Sequence, residues 1–137
     1  MASLSKKLKN ESGSSLIEFA VIMPILLTLF FGIIHIGIFI YDLNVITTAS
    51  SMALDSRIGS LNQSLEEYEK DENAINTGMV VLDAGLFLAE KSIEVNNDED
   101  MREITVTLTC EYRTSFPFVE GLLEDAKNLH RQLVFNY

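Results

Sequence analysis

Residues 13–41 read Gly13-Ser-Ser-Leu-Ile-Glu18-Phe19-Ala-Val-Ile-Met-Pro24-Ile-Leu-Leu-Thr28-Leu-Phe-Phe-Gly32-Ile-Ile-His35-Ile-Gly37-Ile-Phe-Ile-Tyr41. From Phe19 to Tyr41 no side chain carries a permanent charge. As a helix those residues extend about 35 Å at about 1.5 Å each, against a hydrocarbon core of about 30 Å. A soluble core helix of that length would show a polar face, yet Thr28 and His35 are the only strongly polar side chains inside the run. The stretch predicts a membrane-spanning helix.

Charge on either side sets its direction. Lys6, Lys7 and Lys9 precede the run, and acids dominate after it, giving a net charge of −10 overall. The positive-inside rule puts the N-terminus in the cytoplasm and exports the C-terminal part. A negatively charged exported domain repels phosphates, which argues against a nucleic-acid partner. A secretory signal has a shorter apolar region followed by a small-x-small cleavage site; Thr47-Thr48-Ala49 lies well past a run that is too long for one.

Within the span, Pro24 removes one backbone hydrogen bond and predicts a kink. Gly32 and Gly37 are five apart and do not make a Gly-x-x-x-Gly face. His35 lies deep in the apolar run and is expected to hydrogen-bond a partner helix.

After Tyr41 the helical period continues. Val45, Ala49, Met52, Ala53 and Ile58 share one side and Asp42, Asn44, Ser51 and Asp55 fall elsewhere, so the helix is expected to extend as an amphipathic stalk to about Arg57, with Gly59 as its stop. Leu61 to Asn73 is dense in acids and reads as a solvated loop or turn. Ile75, Met79, Leu82, Leu86 and Ala89 recur at helical spacing and predict a second helix from about Glu72 to Lys91.

The period then changes to two. Ile93 and Val95 alternate with polar neighbours, Asn97-Asp98-Glu99-Asp100 supplies a turn, and Ile104, Val106, Leu108, Cys110 and Tyr112 face one side against Thr105, Thr107, Thr109, Glu111 and Arg113 on the other. The acidic turn lacks the spacing and glycine of an EF-hand. Phe116-Pro117-Phe118 breaks the sheet, Val119 to Lys127 is a short helix or loop, and His130 to Tyr137 alternates again. The expected fold is α+β: a long transmembrane helix extended as a stalk, then a second helix packed on a small antiparallel sheet of about three strands.

Cys110 is the single cysteine, so no intramolecular disulfide forms, and it reads as a small buried apolar residue on its strand. It makes no recognised metal-ligand spacing with His35 or His130. Phosphate loops, nucleophile elbows and His-Glu-x-x-His are all missing from the sequence. No enzyme, metal or cofactor is expected.

The remaining chemistry sits at the mouth of the helix. A basic leader ending in Gly13, four uncharged residues, then Glu18-Phe19 ahead of an apolar helix resembles the processing motif of type IV pilins and pseudopilins. With Pro24 and Phe31-Gly32-Ile33-Ile34 added, the first sixty residues are similar to the TadE-like family of the tight-adherence (Flp) pilus system, whose sister family TadF shares the leader architecture. Such proteins often carry an acid followed by Gly where this chain has His35 and Gly37. The resemblance implies a minor pilin-like subunit that supports pilus assembly and is cut between Gly13 and Ser14 by a prepilin peptidase, with Glu18 and Phe19 used in assembly and recognition. It further implies a leader at 1–13, a transmembrane helix and stalk at 14–58, and a periplasmic domain at 59–137. The partners it implies are the peptidase, the major Flp pilin and other pseudopilins, the inner-membrane assembly platform and the lipid bilayer. Glu18 would then face the new amine of Ser14, its own or a neighbour's, in addition to stabilising a helix N-terminus. The competing reading is an uncleaved single-pass protein with a small exported binding or sensing domain.

Overall fold

A computed structural model of the chain describes residues 2–113 and 127–137, with side chains from Gly13 onward. The break expected at Phe116-Pro117-Phe118 and most of the element expected at Val119 to Lys127 lie outside the described residues. The elements run α1 (Ala2–Gly59), α2 (Glu67–Leu82), β1 (Leu88–Asp98), β2 (Glu103–Tyr112) and β3 (Asn128–Asn136). The chain divides into two compact units, Met1–Gly37 and Ile38–Tyr137.

In the first unit the apolar side chains face outward: Leu16, Ile25, Leu29, Phe30 and Ile33 are each more than half exposed. The most apolar window of α1 is only 6% buried, whereas the core helix of a soluble protein would be covered. Among the described residues it is the one helix long and apolar enough to cross a membrane. The protein is a single-pass membrane protein. Helical structure persists through Pro24, whose carbonyl accepts the Thr28 hydroxyl at 2.8 Å.

The second unit is the α+β domain. Its sheet has the order β1-β2-β3, both pairings antiparallel, with Leu108 opposite Ile93 on one side and Arg131 on the other. The period of two decides its faces: Ile104, Val106, Leu108, Cys110 and Tyr112 are buried, Thr105 and Thr107 are half-buried, and Thr109 is exposed. Val45, Ile46, Ala49 and Ala53 of α1 join Leu82 of α2 and the inward residues of β1 and β2 in one core. Burying a side chain such as Leu108 contributes about 1.5–3 kcal/mol.

Close helix packing in this core depends on Gly78. A Cβ there would lie 2.6 Å from Ile93 Cδ1, 3.0 Å from Ala53 Cβ and 3.2 Å from the Ala49 carbonyl oxygen. No side chain larger than hydrogen fits without something moving.

Two local expectations are corrected. The second helix runs Glu67–Leu82, not 72–91: the Glu66 amide donates to Glu69 Oε2 at 3.2 Å, which starts the helix inside the acidic run. It stops at Leu82 because Asp83, Ala84 and Gly85 close a turn onto the carbonyls of Met79, Val81 and Leu82, leaving Leu86 in a loop and Ala89 on β1. Asp42, read as lying off the packing side, is fully buried, while Met52 is 43% exposed. Gly59 ends α1 as expected, and Ser60 closes the helix, its amide donating to the Ser56 and Arg57 carbonyls and its hydroxyl to that of Arg57.

Candidate functional site

The residues singled out at the mouth of the apolar run all lie on α1. Ser14 and Glu18 are exposed, Phe19 is 58% exposed, and Gly13 is half-buried. Four residues of helix place Ser14 and Glu18 one turn apart on the same face. Among the described residues nothing comes within 4 Å of a Cβ built on Gly13, so packing does not require a glycine there. Glu18 makes no hydrogen bond or ion pair among the described residues. Gly13, set between Ser12 and Ser14-Ser15, is a weak helix former, since Gly costs about 1 kcal/mol relative to Ala.

Further along α1, Asp42 forms a joint that the periodicity concealed. Its Oδ1 accepts the Leu86 amide at 2.8 Å and its Oδ2 the Phe87 amide at 3.1 Å, while the Tyr41 hydroxyl donates to the Ala84 carbonyl at 3.3 Å. The loop between α2 and β1 is thereby fixed to the point where the apolar run ends. Phe39 and Phe87 meet the Tyr112 ring edge-on, at 5.1 and 6.0 Å between centroids. The Tyr112 hydroxyl is buried and has no hydrogen-bond partner among the described residues. Burial, and secondarily the charge of Asp42, raise the pKa of Tyr112. The same two causes push the Cys110 thiol up from 9.0 to about 11, with Lys91 opposing them. This thiol is an inert core atom at neutral pH.

A second buried polar group closes the opposite end of the helix pair. Arg57 is fully buried, donates through Nε to Asp71 Oδ1 at 2.6 Å and through Nη2 to Glu67 Oε2, and leaves Nη1 without a partner among the described residues. Lys70 and Asn97 also donate to Glu67, at 2.8 and 3.3 Å. The Lys70 hydrogen bond first, and the Arg57 guanidinium after it, hold the Glu67 carboxyl below the ordinary carboxylate range against the opposing effect of burial. Beside this cluster lies an open polar groove of about 480 Å³, lined by Ser56, Ser60, Gln63, Asn73, Asn76, Thr77 and Val80.

Neither buried group was legible as a site. Asp42 and Arg57 are single charges on a helix face, and their partners lie 44 and 14 residues away in the chain. Both are structural joints, and neither contributes a catalytic arrangement. Glu18, by contrast, is exposed and has no polar partner among the described residues.

No curated protein and no solved structure matches the chain. Residues 13–55, from the glycine at the mouth of α1 to two residues short of the buried Arg57, match the family model described as TadE-like protein, and it is to that family that this segment of the chain is similar.

Proposed function

We propose that this protein is a minor pilin-like (pseudopilin) subunit that supports assembly of a tight-adherence pilus and is cut between Gly13 and Ser14 by a prepilin peptidase. The observation that carries the reading is the start of the TadE-like match at residue 13, which leaves the Lys-rich leader outside it. A glycine that packing among the described residues does not require, and an acid one helical turn beyond the new N-terminus with no polar partner among them, support it. On this reading residues 1–13 are a cytoplasmic leader, 14–58 the membrane helix and its extension, which anchor the protein in the bacterial inner membrane, and 59–137 a periplasmic domain. Cutting frees the Ser14 amine at a helix N-terminus, where the Glu18 carboxylate on the same face neutralises it. Pairing the two lowers the cost of holding either charge at the bilayer edge, within one subunit or between neighbours. The peptidase, the major pilin, other pseudopilins and the assembly platform are the partners this requires.

The test is the mass of the chain recovered from membranes. Wild type is expected to lack residues 1–13, roughly a tenth of the 15.4 kDa precursor, while Gly13→Leu stays at precursor mass. Precursor mass for both would overturn the reading and leave an uncleaved single-pass protein with an exported binding domain.

A further inference from the structure

We infer that the turn between α2 and β1, residues 83–87, is a second membrane contact: it seats the exported domain on the bilayer surface with Leu86 in the lipid interface.

The inference is built within the Ile38–Tyr137 unit. Its first residues, Ile38 to Tyr41, are the last of the uncharged run, and Ile40 and Tyr41 are 53% and 46% exposed. Asp42 is the first charge after the run and marks the boundary between hydrocarbon and headgroups. At that boundary the Asp42 carboxylate accepts the amides of Leu86 and Phe87, and the Tyr41 hydroxyl reaches the Ala84 carbonyl. The turn is therefore held at the level where the helix leaves the membrane, and a planar bilayer meets whatever stands at that level, on any side of the helix.

The side chains suit the position. Leu86 is 64% exposed although its own backbone amide is anchored on Asp42, the residue that follows the half-exposed Tyr41. An isolated exposed leucine needs no explanation, but one fixed beside the end of a membrane span has an apolar phase within reach. Tyr41 is the residue type that sits at headgroup level. Asp42 is fully buried and does not present its charge to this layer, and the exposed Asp83 of the same turn is paired with Lys91 at 3.0 Å. At the far end of the sheet Asp98, Glu99 and Asp100 lie around the β1–β2 turn, the end a negatively charged lipid surface would repel. Interfacial segments bury apolar side chains about 5–10 Å into the headgroup and acyl boundary.

The chain contains no tryptophan, so one introduced residue reports its own surroundings. Full-length Leu86→Trp, Ala84→Trp and Met101→Trp are reconstituted in phosphatidylcholine vesicles with and without lipids brominated high on the acyl chain. Met101 is 70% exposed in the β1–β2 turn and serves as the membrane-distal reference. Cys110 protection from thiol reagents verifies that each variant is folded, and the second reporter at Ala84, itself exposed, keeps the test decisive if Leu86→Trp does not fold. Blue-shifted emission quenched severalfold more strongly from the turn than from Met101→Trp is the expected result. Quenching from the turn no greater than from Met101→Trp, in a folded variant, would overturn the inference. The reading does not depend on cleavage after Gly13, since it uses only residues beyond Gly37.

Discussion

Arg57, with no exposed surface, donates through Nε to Asp71 Oδ1 at 2.6 Å across the α1–α2 pair. The partners are unequal: the Asp71 and Glu67 side chains are 30% and 52% exposed, so only the cation depends on the pairing for its solvation. Removing both carboxylates in Asp71→Ala/Glu67→Ala is expected to cost about 3–5 kcal/mol by leaving a buried guanidinium unpaired. Arg57→Met is expected to cost less, because the two carboxylates hydrate where they stand. Urea titrations of the full chain in mild detergent check the order, and equal losses would contradict it.

Gly78→Ala normally favours a helix by about 1 kcal/mol, yet here it is expected to destabilise by about 1–3 kcal/mol through overpacking. The Ala49 carbonyl is fixed backbone, whereas the 2.6 Å contact is with the end of the Ile93 side chain. Ile93→Val removes that Cδ1, and the double variant is expected to be more stable than the sum of the two single effects predicts. Strict additivity in a double-mutant cycle would show that the contact is not the cause.

Leu108→Ala is expected to cost about 2–5 kcal/mol as a truncation at a site with no exposed surface. Thr109→Ala, next to it on the open face, is expected to stay within about 0.5 kcal/mol. The pair, measured by thermal unfolding, tests the assignment of the two sheet faces.

Cys110 gives the domain an alkaline limit. Its folded pKa, about 11, lies above the ordinary 9.0, so the folded chain holds the proton more tightly than the unfolded one. That contribution is complete below pH 9, declines as pH rises, and is lost through about 11. Cys110→Ala is expected to flatten the fall of stability over that window. Alkylation at pH 8 is expected to be about 100-fold slower in the folded chain than in urea, two factors of ten from the pKa alone. Equal rates would place the thiol outside the core.

Glu18→Ala is expected to separate cutting from assembly. The peptidase meets Gly13 and the leader, whereas the carboxylate acquires its counter-ion only when Ser14 becomes an amine. The variant should reach mature length and remain in the membrane, yet fail to restore surface pili in a strain lacking the native copy, with Glu18→Asp as the conservative comparison. Normal piliation would leave Glu18 with only its effect on the helix end, worth about 0.3–1 kcal/mol.

Where one face alone decided the structure, the sequence was readable. The apolar run has no polar side, and the threonines of β2 leave its other face as the only place for a core, so the membrane helix, the inward strand residues and the α+β class all followed from period. The acidic run before α2 hid its start, since Glu66 and Glu69 serve as a cap while looking like solvated charge. Leu86 and Ala89 continued the helical spacing by coincidence, and the turn at Gly85 overrode it. Asp42 and Arg57 were unreadable for another reason: burial of a charge is decided by distant partners, and nothing local distinguishes it from a charge in water. Gly78 belongs with them, because its value lies in what approaches it.

Residues 45–53 of α1 form part of the core and are not a tether leading to it. Mechanically, that arrangement carries load in shear. A force drawn along α1 at its membrane end is borne simultaneously by Val45, Ile46, Ala49 and Ala53 against the sheet and α2, by the two amides on Asp42, and by the ion pairs of Arg57. Withdrawing residues 45–53 would uncover the core they help to form, so a pull on this part of α1 is a pull on the domain's fold.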